Sequence, residues 1–489
     1  MNISDHTWEV IAWTTFGVNW LIRIVLTLRI ILRRTPVPQS LSWLVMVWVF
    51  PILGLFIYAL IGESRLGSRR VKRAIEVMTA LRAKGAENWP PHAVEDPGGD
   101  QPDLTELARL CTRVAGKPPL RGNEIELLDD ANLVLKLLVA DIEAAQHHVH
   151  LLFYIWMPTN GGARVAEAVA RAAARGVTCR VLVDSAGGRA FWKSSLPNMM
   201  RSAGAKVEHA LYVRWWRAVL ARIDLRNHRK IAVIDGTLAY TGSQNLTDET
   251  FRSRRTRKIG PWIDAMVRIR GPAAKALQSV FLSDWQLDTD EDLGDLAPYF
   301  PLIEPRPGPI VHVLPSGPGA EPDAIHQAVL AMIFAARREL VMVTPYFVPD
   351  EATKVALINA CLRGVEVTLI LPDHLDMPLV AAASRSHFED LMDAGVKIAC
   401  HCEGLLHAKS FVVDQRLAVI GSMNFDMRSF WLNFEVTLFI YDEPFARELR
   451  ALSQRYLDES EMLDLATWRT RSVTRRFLDN SAQLLGPLL

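Results

Sequence analysis

Hydrophobic positions dominate the first 61 residues, where they form two separate apolar segments. The second segment, Leu41 to Ile61, has 21 residues and no charge, which is long enough to cross the hydrocarbon core of a bilayer as a helix. Pro51 and Gly54 in its middle predict a kink or a re-entrant bend. The first segment, about residues 8–32, is interrupted by an asparagine and two arginines, so it fits either a second span or a helix lying in the interface. Residues 1–73 are therefore predicted to anchor the chain in a membrane.

Beyond this anchor, strand-like and helix-like patterns alternate in an order that occurs twice. Each copy has a strand ending near a tyrosine, a helix, a buried strand that stops at an aspartate, a further short strand, and a strand pair with charged ends. The paired segments are 147–156 and 338–347, 174–184 and 362–373, 201–207 and 392–398, and 228–245 and 407–424. Buried strands alternating with helices are typical of α/β layers. We therefore predict an α/β fold of two duplicated units, which meet about a pseudo-two-fold axis and bring one copy of each motif to a single cleft.

The duplication also sets the predicted domain limits. Residues 74–103 are read as a short juxtamembrane helix followed by a linker rich in proline, glycine and acidic residues. The first half of the body is then predicted over residues 104–300. The second half covers residues 301–489 and includes a C-terminal tail.

Charge is distributed unevenly, although the formal net charge of the whole chain is only +1. Residues 1–73 hold nine basic and three acidic residues, a net charge of +6, and the remainder holds 46 basic and 51 acidic residues, a net charge of −5. A basic region confined to an apolar N-terminus favours membrane phosphates over a nucleic acid as its partner. The basic cluster after Ile61 predicts that this end of the segment, and with it the catalytic body, is cytoplasmic.

The five cysteines are an odd number without regular spacing, which argues against a disulfide framework and fits a reducing compartment. The sequence contains one possible zinc site, because four residues with zinc-ligand side chains lie close together: Cys400, His401, Cys402 and His407. No second ligand pair at finger-like spacing accompanies them. We therefore interpret them as strand and turn residues and predict no metal site.

The charged strand pair carries the same motif in both copies, a histidine, any residue, a lysine, four residues and an aspartate. Its residues are His228, Lys230 and Asp235 in the first copy and His407, Lys409 and Asp414 in the second. Each copy is followed by Gly-Ser-x-Asn after a short second strand. One such motif arises readily by chance, whereas two at equivalent places in a duplication do not.

Histidine and lysine two residues apart on a strand point to the same face. A cleft formed from both copies would hold two imidazoles and two ammonium groups, a set that suits a phosphate. One histidine can attack phosphorus while the other donates a proton to the departing alcohol and later accepts one from the incoming alcohol. Because the lysines already supply positive charge, we expect the reaction to need no divalent metal or other cofactor.

Further residues are predicted to support this centre. Ser243, Asn245, Ser422 and Asn424 are interpreted as neutral donors that help to bind the substrate phosphate. A nucleophilic imidazole also needs its tautomer fixed, and Asp264 and Glu435, which begin apolar strands downstream of the motifs, are predicted to do this. Asp235 and Asp414 lie seven residues from their histidines, which is too far along a strand to orient the imidazoles. From spacing alone we interpret these two aspartates as structural anchors that pair with buried cations.

The duplicated HxKxxxxD followed by GSxN resembles the phospholipase D superfamily, over residues of about 120 to 460. More narrowly, LRNHRKIAVIDG, GSMNFDMRSFWLNFE and the N-terminal FPILGLFIYALIGE resemble bacterial cardiolipin synthases. That family joins two phosphatidylglycerol molecules and releases glycerol at the cell membrane. The resemblance implies that all six motif residues, including both aspartates, form the active site, and it favours His228 as the nucleophile. Both copies have Gly-Ser where many superfamily members have Gly-Gly.

Three alternatives remain open on the sequence. The same chemistry would serve a membrane-bound hydrolase, or a transferase acting on another lipid such as phosphatidylethanolamine. A tethered nuclease would need a basic body, which the net charge of −5 opposes. An inactive scaffold is disfavoured because both motifs are intact. Residues 211–226, with Trp215 and Trp216, and residues 468–478 combine aromatic residues with arginine and are predicted either to dip into the membrane interface or to be plain surface segments.

Overall fold

The computed structural model describes residues 5–33, 37–62, 68–83, 92–212, 225–248, 260–289, 291–304, 306–318 and 323–486. Its N-terminal helices are α1 (Asp5–Leu32), α2 (Val37–Val49) and α3 (Pro51–Ile61). Within the described residues, one helical stretch, Trp8–Leu32, is long and apolar enough to cross a membrane. The first apolar segment, predicted either to span the membrane or to lie in the interface, is thus one continuous helix.

The segment from Leu41 to Ile61 is not one straight helix. The helix breaks at Phe50, which has non-helical backbone angles before Pro51 begins α3. Trp43 and Tyr58 lie 5.2 Å apart between ring centroids, whereas 15 residues of one helix would separate them by about 22 Å. The chain therefore reverses here, as the re-entrant alternative requires. Of the two outcomes predicted from Pro51 and Gly54, a kink in a spanning helix and a re-entrant bend, the structure has the re-entrant bend.

The body begins with α4 (Ser68–Ala83), α5 (Pro102–Ala115) and the elements of a first sheet. These elements are β1 (Glu124–Leu128), α6 (Ala131–Ala144), β2 (His148–Phe153), α7 (Asn160–Ala174), β3 (Thr178–Asp184), α8 (Arg189–Trp192), α9 (Leu196–Ser202), β4 (Lys206–Ala210), β5 (Ile231–Ile234), β6 (Leu238–Gly242), β7 (Trp262–Ile263), β8 (Met266–Arg270) and α10 (Pro272–Asp288). A 3₁₀ turn, Ala297–Tyr299, follows. The seven-stranded sheet has the order β1-β8-β6-β5-β2-β3-β4. Only β2, β3 and β4 run parallel to one another.

The second half builds a matching sheet. Its elements are β9 (Ile310–Ser316), α11 (Ala324–Ala335), β10 (Glu339–Val343), β11 (Phe347–Val348), α12 (Glu351–Leu362), β12 (Glu366–Pro372), α13 (Pro378–Ser386), α14 (Phe388–Asp393), β13 (Lys397–His401), β14 (Leu405–Leu406), β15 (Ser410–Val413), β16 (Leu417–Gly421), β17 (Phe425–Asp426), α15 (Met427–Trp431), β18 (Glu435–Tyr441), α16 (Glu443–Asp458), β19 (Ser460–Met462), α17 (Leu465–Arg469) and α18 (Val473–Gln483). The sheet order is β19-β13-β12-β10-β15-β16-β18-β9. Apart from the added edge strand β19, this order repeats that of the first sheet, so the prediction of two duplicated α/β units is confirmed.

The two sheets share a central hydrophobic cluster, and each half also has a cluster of its own. Central strands such as β2 and β15 are buried along their whole length, as expected for strands covered on both faces. Helices α10 and α16 contribute Phe281 and Leu449 to a cluster that also contains side chains from both sheets. Helix α5 belongs to the first half by sequence, but its Leu107 and Cys111 pack in the core of the second half. The halves are thus interlocked rather than merely adjacent.

Candidate active site

The two His-x-Lys segments enter the centre of the body as extended chain just before β5 and β15. Their four functional side chains are almost completely buried, with His228 the most exposed at 8%. Each lysine Nζ donates a hydrogen bond to the carbonyl oxygen of its own histidine, at 2.7 Å for Lys230 and 2.6 Å for Lys409. An ammonium has three donors, so each lysine keeps hydrogen-bonding capacity for a substrate.

The ring of His228 is fixed by the second half. Its Nδ1 lies 3.0 Å from Glu435 Oε2 and 3.1 Å from the carbonyl oxygen of Ser422. Because both partners are acceptors, Nδ1 must carry the hydrogen, which leaves Nε2 with a free lone pair. Glu435 is itself held by three donors, Ser422 Oγ, Ser429 Oγ and Asn433 Nδ2.

The ring of His407 is fixed in the same way by the first half. Its Nδ1 lies 2.7 Å from Asp264 Oδ1, and Ser243 Oγ donates to the same oxygen at 2.7 Å. The sequence predicted Asp264 and Glu435 as the acids that orient the imidazoles. It did not predict which acid meets which histidine. Glu435 of the second half orients His228 of the first half, and Asp264 of the first half orients His407 of the second.

Two short backbone ladders between the halves produce this exchange. Strand β14, directly before His407, pairs in parallel with β7, directly before Asp264. In the equivalent place Asn227 forms a bridge with Phe434, which brings His228 beside Glu435. The reciprocal contacts are those expected of a pseudo-two-fold arrangement, and they place both histidines and both carboxylates by main-chain hydrogen bonds.

The serines of the Gly-Ser-x-Asn motifs differ from the prediction. Ser243 and Ser422 donate to the carboxylates Asp264 and Glu435, so they support the orienting acids instead of facing a phosphate. The preceding glycine makes this possible, because a Cβ at Gly242 would lie 2.5 Å from the carbonyl oxygen of Ala265. The close approach of β6 to β8 therefore requires glycine here.

The asparagines of the same motifs each have a buried amide atom without a partner among the described residues, and in Asn245 that atom is a donor. Asn245 Oδ1 accepts from the backbone N–H of Ile155 at 3.0 Å, which fixes the amide, while its buried Nδ2 has no partner among the described residues. Asn424 differs, because its buried atom without a partner in the described part of the chain is Oδ1, which can only accept a hydrogen bond. Since buried amide groups are normally paired, these groups are free to bind a ligand.

Asp235 and Asp414 are structural anchors, although of a different kind from the one the spacing suggested. Asp235 accepts hydrogen bonds from the backbone N–H groups of residues 146, 147 and 148, at 2.8–2.9 Å. Asp414 accepts from residues 337, 338 and 339, at 2.7–2.9 Å. Both carboxylates therefore cap the start of a central strand through backbone N–H groups and not through buried cations. They touch neither histidine, so the active-site role implied by the family resemblance has no geometric support.

We expect Asp235→Ala and Asp414→Ala to lower the free energy of unfolding by about 1–3 kcal/mol each, because three backbone donors lose their acceptor. Turnover per folded molecule should stay within about threefold of wild type. Denaturant unfolding in detergent and turnover of the folded fraction would be measured together.

The matched control for this prediction is Asp130→Ala. Asp130 caps helix α6 through the N–H groups of Asn132 and Leu133. A loss of turnover in Asp235→Ala or Asp414→Ala, with stability no lower than in the control, would show that these aspartates take part in catalysis.

Arg229, between His228 and Lys230, was missed by sequence reasoning. Its guanidinium pairs with buried Asp284 of α10 at 2.5 Å. It also donates to the carbonyl oxygens of Glu435 and Ser316, both at 2.9 Å and both in the second half. Arg229 thus fastens α10 to the strand that begins with Glu435. The available signal was the asymmetry of the repeat, since the second copy has Ala408 at the equivalent position.

Burial dominates the electrostatics of the centre. It lowers the pKa of His407 to about 3, with Lys409 adding to the effect and Asp264 opposing it. Burial also lowers the pKa of His228, against the opposing charge of Glu435, and it lowers the pKa of Lys230 to about 8. Burial alone would raise the pKa of Asp264, but His407 and Lys409 hold it at about 2. Burial thus favours the neutral form of both imidazoles, and the neighbouring carboxylates oppose this effect.

Aromatic rings line the two histidines differently. Tyr154 contacts the ring of His228 edge to face at a centroid distance of 4.9 Å, and its ring lies 5.7 Å from Lys230 Nζ. Trp262 covers the ring of His407 at 4.4 Å. Trp215 and Trp216, predicted to form a lip of the cleft, lie outside the described residues.

The four residues weighed as zinc ligands do not converge. His401 Nε2 pairs with Glu459, Cys402 Sγ contacts the carbonyl oxygen of Cys400, and His407 is engaged with Asp264. Among the described residues, no group of three or more histidine, cysteine or acidic side chains could hold a metal ion.

Known proteins resemble this chain over its whole length. A family described as cardiolipin synthase, PLD-like domain, matches residues 138–285 and 329–457, and these two segments contain both His-x-Lys pairs and both orienting carboxylates. Cardiolipin synthase A of Serratia proteamaculans (strain 568) is 39% identical over 488 residues, covering 99% of each chain. Cardiolipin synthase A of Yersinia pseudotuberculosis serotype IB (strain PB1/+) is 40% identical over 484 residues, again covering 99% of each.

Among solved structures, the phosphatidylserine synthase of Haemophilus influenzae Rd KW20 superimposes with a TM-score of 0.58 at 15% identity. It covers 78% of this chain and 100% of its own, which supports the fold. The family match and the full-length relatives carry the assignment further. The chain belongs to the cardiolipin synthase family of the phospholipase D superfamily, and it is a phospholipid phosphatidyltransferase.

Proposed function

We propose that this enzyme transfers a phosphatidyl group from one phosphatidylglycerol to another through a phosphatidyl-histidine intermediate, giving cardiolipin and glycerol. The observation that carries the proposal is the pair of exchanged contacts, His228–Glu435 at 3.0 Å and His407–Asp264 at 2.7 Å. Each contact fixes a hydrogen on Nδ1 and leaves Nε2 available for chemistry. Two imidazoles with an available Nε2, beside two lysines, can carry out a two-step displacement at phosphorus.

In the first step His228 Nε2 attacks the phosphorus of the donor lipid, and the bond from phosphorus to the glycerol headgroup oxygen breaks. His407, protonated once the phosphate anion has entered, gives its proton to that oxygen, and free glycerol leaves. The ionised Asp264 at 2.7 Å stabilises the imidazolium that forms on His407. We assign the nucleophile to His228 because of the family resemblance and because its Nδ1 is held by two acceptors.

In the second step a headgroup hydroxyl of a second phosphatidylglycerol attacks the phosphorus bound to His228. His407, now neutral, accepts the proton of that hydroxyl, and the bond from phosphorus to Nε2 breaks. Lys230 and Lys409 neutralise the non-bridging oxygens in both steps, and Asn245 supplies a further donor. This set supplies the charge stabilisation that a divalent ion would otherwise give, so we propose that the reaction proceeds without one.

The proposal is tested by running the reaction in both directions, with EDTA present throughout. Purified protein in detergent is incubated with phosphatidylglycerol, and the lipid and water-soluble products are quantified. We expect cardiolipin and glycerol in equal amounts. Excess glycerol should convert cardiolipin back to phosphatidylglycerol, because both sides of the reaction are phosphodiesters and the exchange is close to thermoneutral.

Other products would favour the alternatives. Phosphatidic acid formed at a rate insensitive to added glycerol would identify a hydrolase, and free ethanolamine released from mixed lipids would identify phosphatidylethanolamine as the donor. Cleavage of DNA or RNA without action on lipid would identify a nuclease. Loss of activity with EDTA that zinc or magnesium restores would contradict metal-free chemistry.

We further propose that the membrane is the working environment and that the catalytic body is cytoplasmic. The apolar helix Trp8–Leu32 and the helical hairpin that follows it would hold the protein in the bilayer. The basic residues that follow Ile61 support a cytoplasmic position for the body. A body held at the interface meets lipid hydroxyls at high local concentration, which favours transfer over hydrolysis.

A further inference from the structure

The C-terminal helix α18 presents an apolar face away from the protein. Val473, Phe477 and Leu484 are 82%, 69% and 81% exposed. Their spacing of i, i+4 and i+11 places them on one side of the helix. Leu478 and Leu485, also exposed, extend this stripe. We call these five residues the apolar stripe.

The opposite face of the same helix packs against the protein. Asp479 and Ala482 are buried, and the Asp479 carboxylate accepts from Arg385 of α13 at 3.0 Å and from Arg471 at 2.9 Å. Ala482 packs in a small cluster with Val380 and Val348. The outward direction of the apolar stripe is therefore set by these buried contacts.

Basic and further apolar groups border the stripe. Arg475 and Arg476 lie within α18 itself and are exposed, and Arg476 also lies 3.7 Å from a carboxylate oxygen of Glu389. Met377 and Leu379, 40% and 44% exposed, add apolar surface at the start of the neighbouring helix α13. Exposed aromatic and aliphatic side chains flanked by arginine complement a surface that is apolar inside and anionic outside.

The stripe lies at the catalytic end of the second half. A Cβ at Gly486 would lie 3.5 Å from Val348 and 3.7 Å from Met427, and Met427 follows Asn424 by three residues. Tyr346, which is the repeat counterpart of Tyr154 beside His228, packs against the same small cluster. Its hydroxyl donates to Asp376, the residue before Met377.

We propose that the apolar stripe, with Arg475 and Arg476, is a docking surface for an anionic phospholipid bilayer and inserts into its interface beside the mouth of the active site. The surface binds the membrane in addition to the N-terminal anchor. It would hold the site at the depth where lipid headgroups lie. Binding by this surface does not depend on the reaction that the enzyme carries out.

The test uses the full chain in lipid nanodiscs containing one copy each. Cys402, the exposed thiol among the described cysteines, is replaced by serine, and an environment-sensitive dye is attached at Phe477→Cys. The matched control carries the dye at Leu362→Cys, on helix α12, where the native side chain is 75% exposed. Quenching by nitroxide-labelled lipids is compared in discs with and without phosphatidylglycerol.

We expect the dye at position 477 to be quenched about three- to fivefold more strongly than the dye at 362 when phosphatidylglycerol is present. Arg475→Glu with Arg476→Glu should remove most of this difference, because the anionic lipid is then repelled. Equal quenching at 477 and 362 would overturn the proposal. In detergent without lipid, a change in the emission of the dye at position 477 that grows with protein concentration would identify a second copy of the chain as the partner instead, and would also overturn the proposal.

A kinetic comparison checks the same surface independently. Val473→Glu with Phe477→Glu should slow turnover of phosphatidylglycerol in a bilayer about fivefold. The same variant should leave turnover of a short-chain, monomeric phosphatidylglycerol unchanged. Val355→Glu with Leu362→Glu, at two exposed positions of α12, should leave both rates unchanged. Equal slowing of both substrates by the stripe variant would indicate damage to the fold and would count against docking.

Discussion

Replacing either His228 or His407 with alanine is expected to reduce turnover by about 10⁴-fold or more, because nucleophile and acid/base groups act as a unit. The double variant should be scarcely slower than either single one, since the second residue contributes little once the first is lost. Turnover of phosphatidylglycerol to cardiolipin and glycerol is the measurement. A single variant with near wild-type turnover would refute a centre that uses two histidines.

A substrate with a good leaving group separates the two roles. Phosphatidyl-p-nitrophenol needs no proton donor for its leaving group, so His407→Ala should still release one nitrophenolate per enzyme and then stall with the lipid attached to His228. His228→Ala should show no such burst. Mass spectrometry of the modified peptide identifies the residue. A burst in His228→Ala with the adduct on His407 would reverse the assignment of the nucleophile.

Arg229→Met is expected to lower the free energy of unfolding by about 3–5 kcal/mol, because it leaves the Asp284 carboxylate buried without its countercharge. Turnover should fall as well, since Arg229 also holds the carbonyl oxygens of Glu435 and Ser316. Denaturant unfolding of the purified protein measures the first effect, and cardiolipin formation measures the second.

An exposed ion pair provides the control for this prediction. Lys397 and Glu366 are 2.5 Å apart with side chains 53% and 60% exposed, and Lys397→Met should cost less than about 1 kcal/mol. Replacing both partners of the buried pair, Arg229→Met with Asp284→Leu, should recover much of the lost stability, because no unpaired charge remains. A cost for Arg229→Met no larger than that of the control would show that Arg229 does not fasten the halves together.

The duplicated fold could be predicted because short stretches of the sequence are enough to identify the buried strands and their order. Each buried strand is a run of apolar residues, and the order of these runs repeats. Asp264 and Glu435 could be found for the same reason, as acids at the start of apolar strands. Their exchange between the halves could not, because periodicity reports the face on which a side chain lies and not the strand that comes to lie beside it.

Other features of the site depend on contacts that no local pattern encodes. Arg229 occupies the variable position of the His-x-Lys motif, and the motif gives no reason to assign a role to that position. Ser243 and Ser422 were read as phosphate donors because a hydroxyl beside a lysine suits that role, but β6 and β8 approach so closely that Ser243 meets Asp264 first, and Ser422 meets Glu435 in the same way. In the anchor, hydropathy gave the length of the apolar run and Pro51 marked the bend, whereas the full reversal of the chain is seen only in the contact of Trp43 with Tyr58.

The exchange of carboxylates has a consequence for how such an enzyme can arise and be made. A single half contains a histidine and an acid that cannot serve each other, so an ancestor with one repeat could work only where two copies met. Two copies joined in one chain make that encounter intramolecular. During synthesis, the first half leaves the ribosome with His228 still unpaired, and that histidine is completed only when Glu435 has been translated. The nascent chain therefore meets the membrane before it is able to act on its lipids.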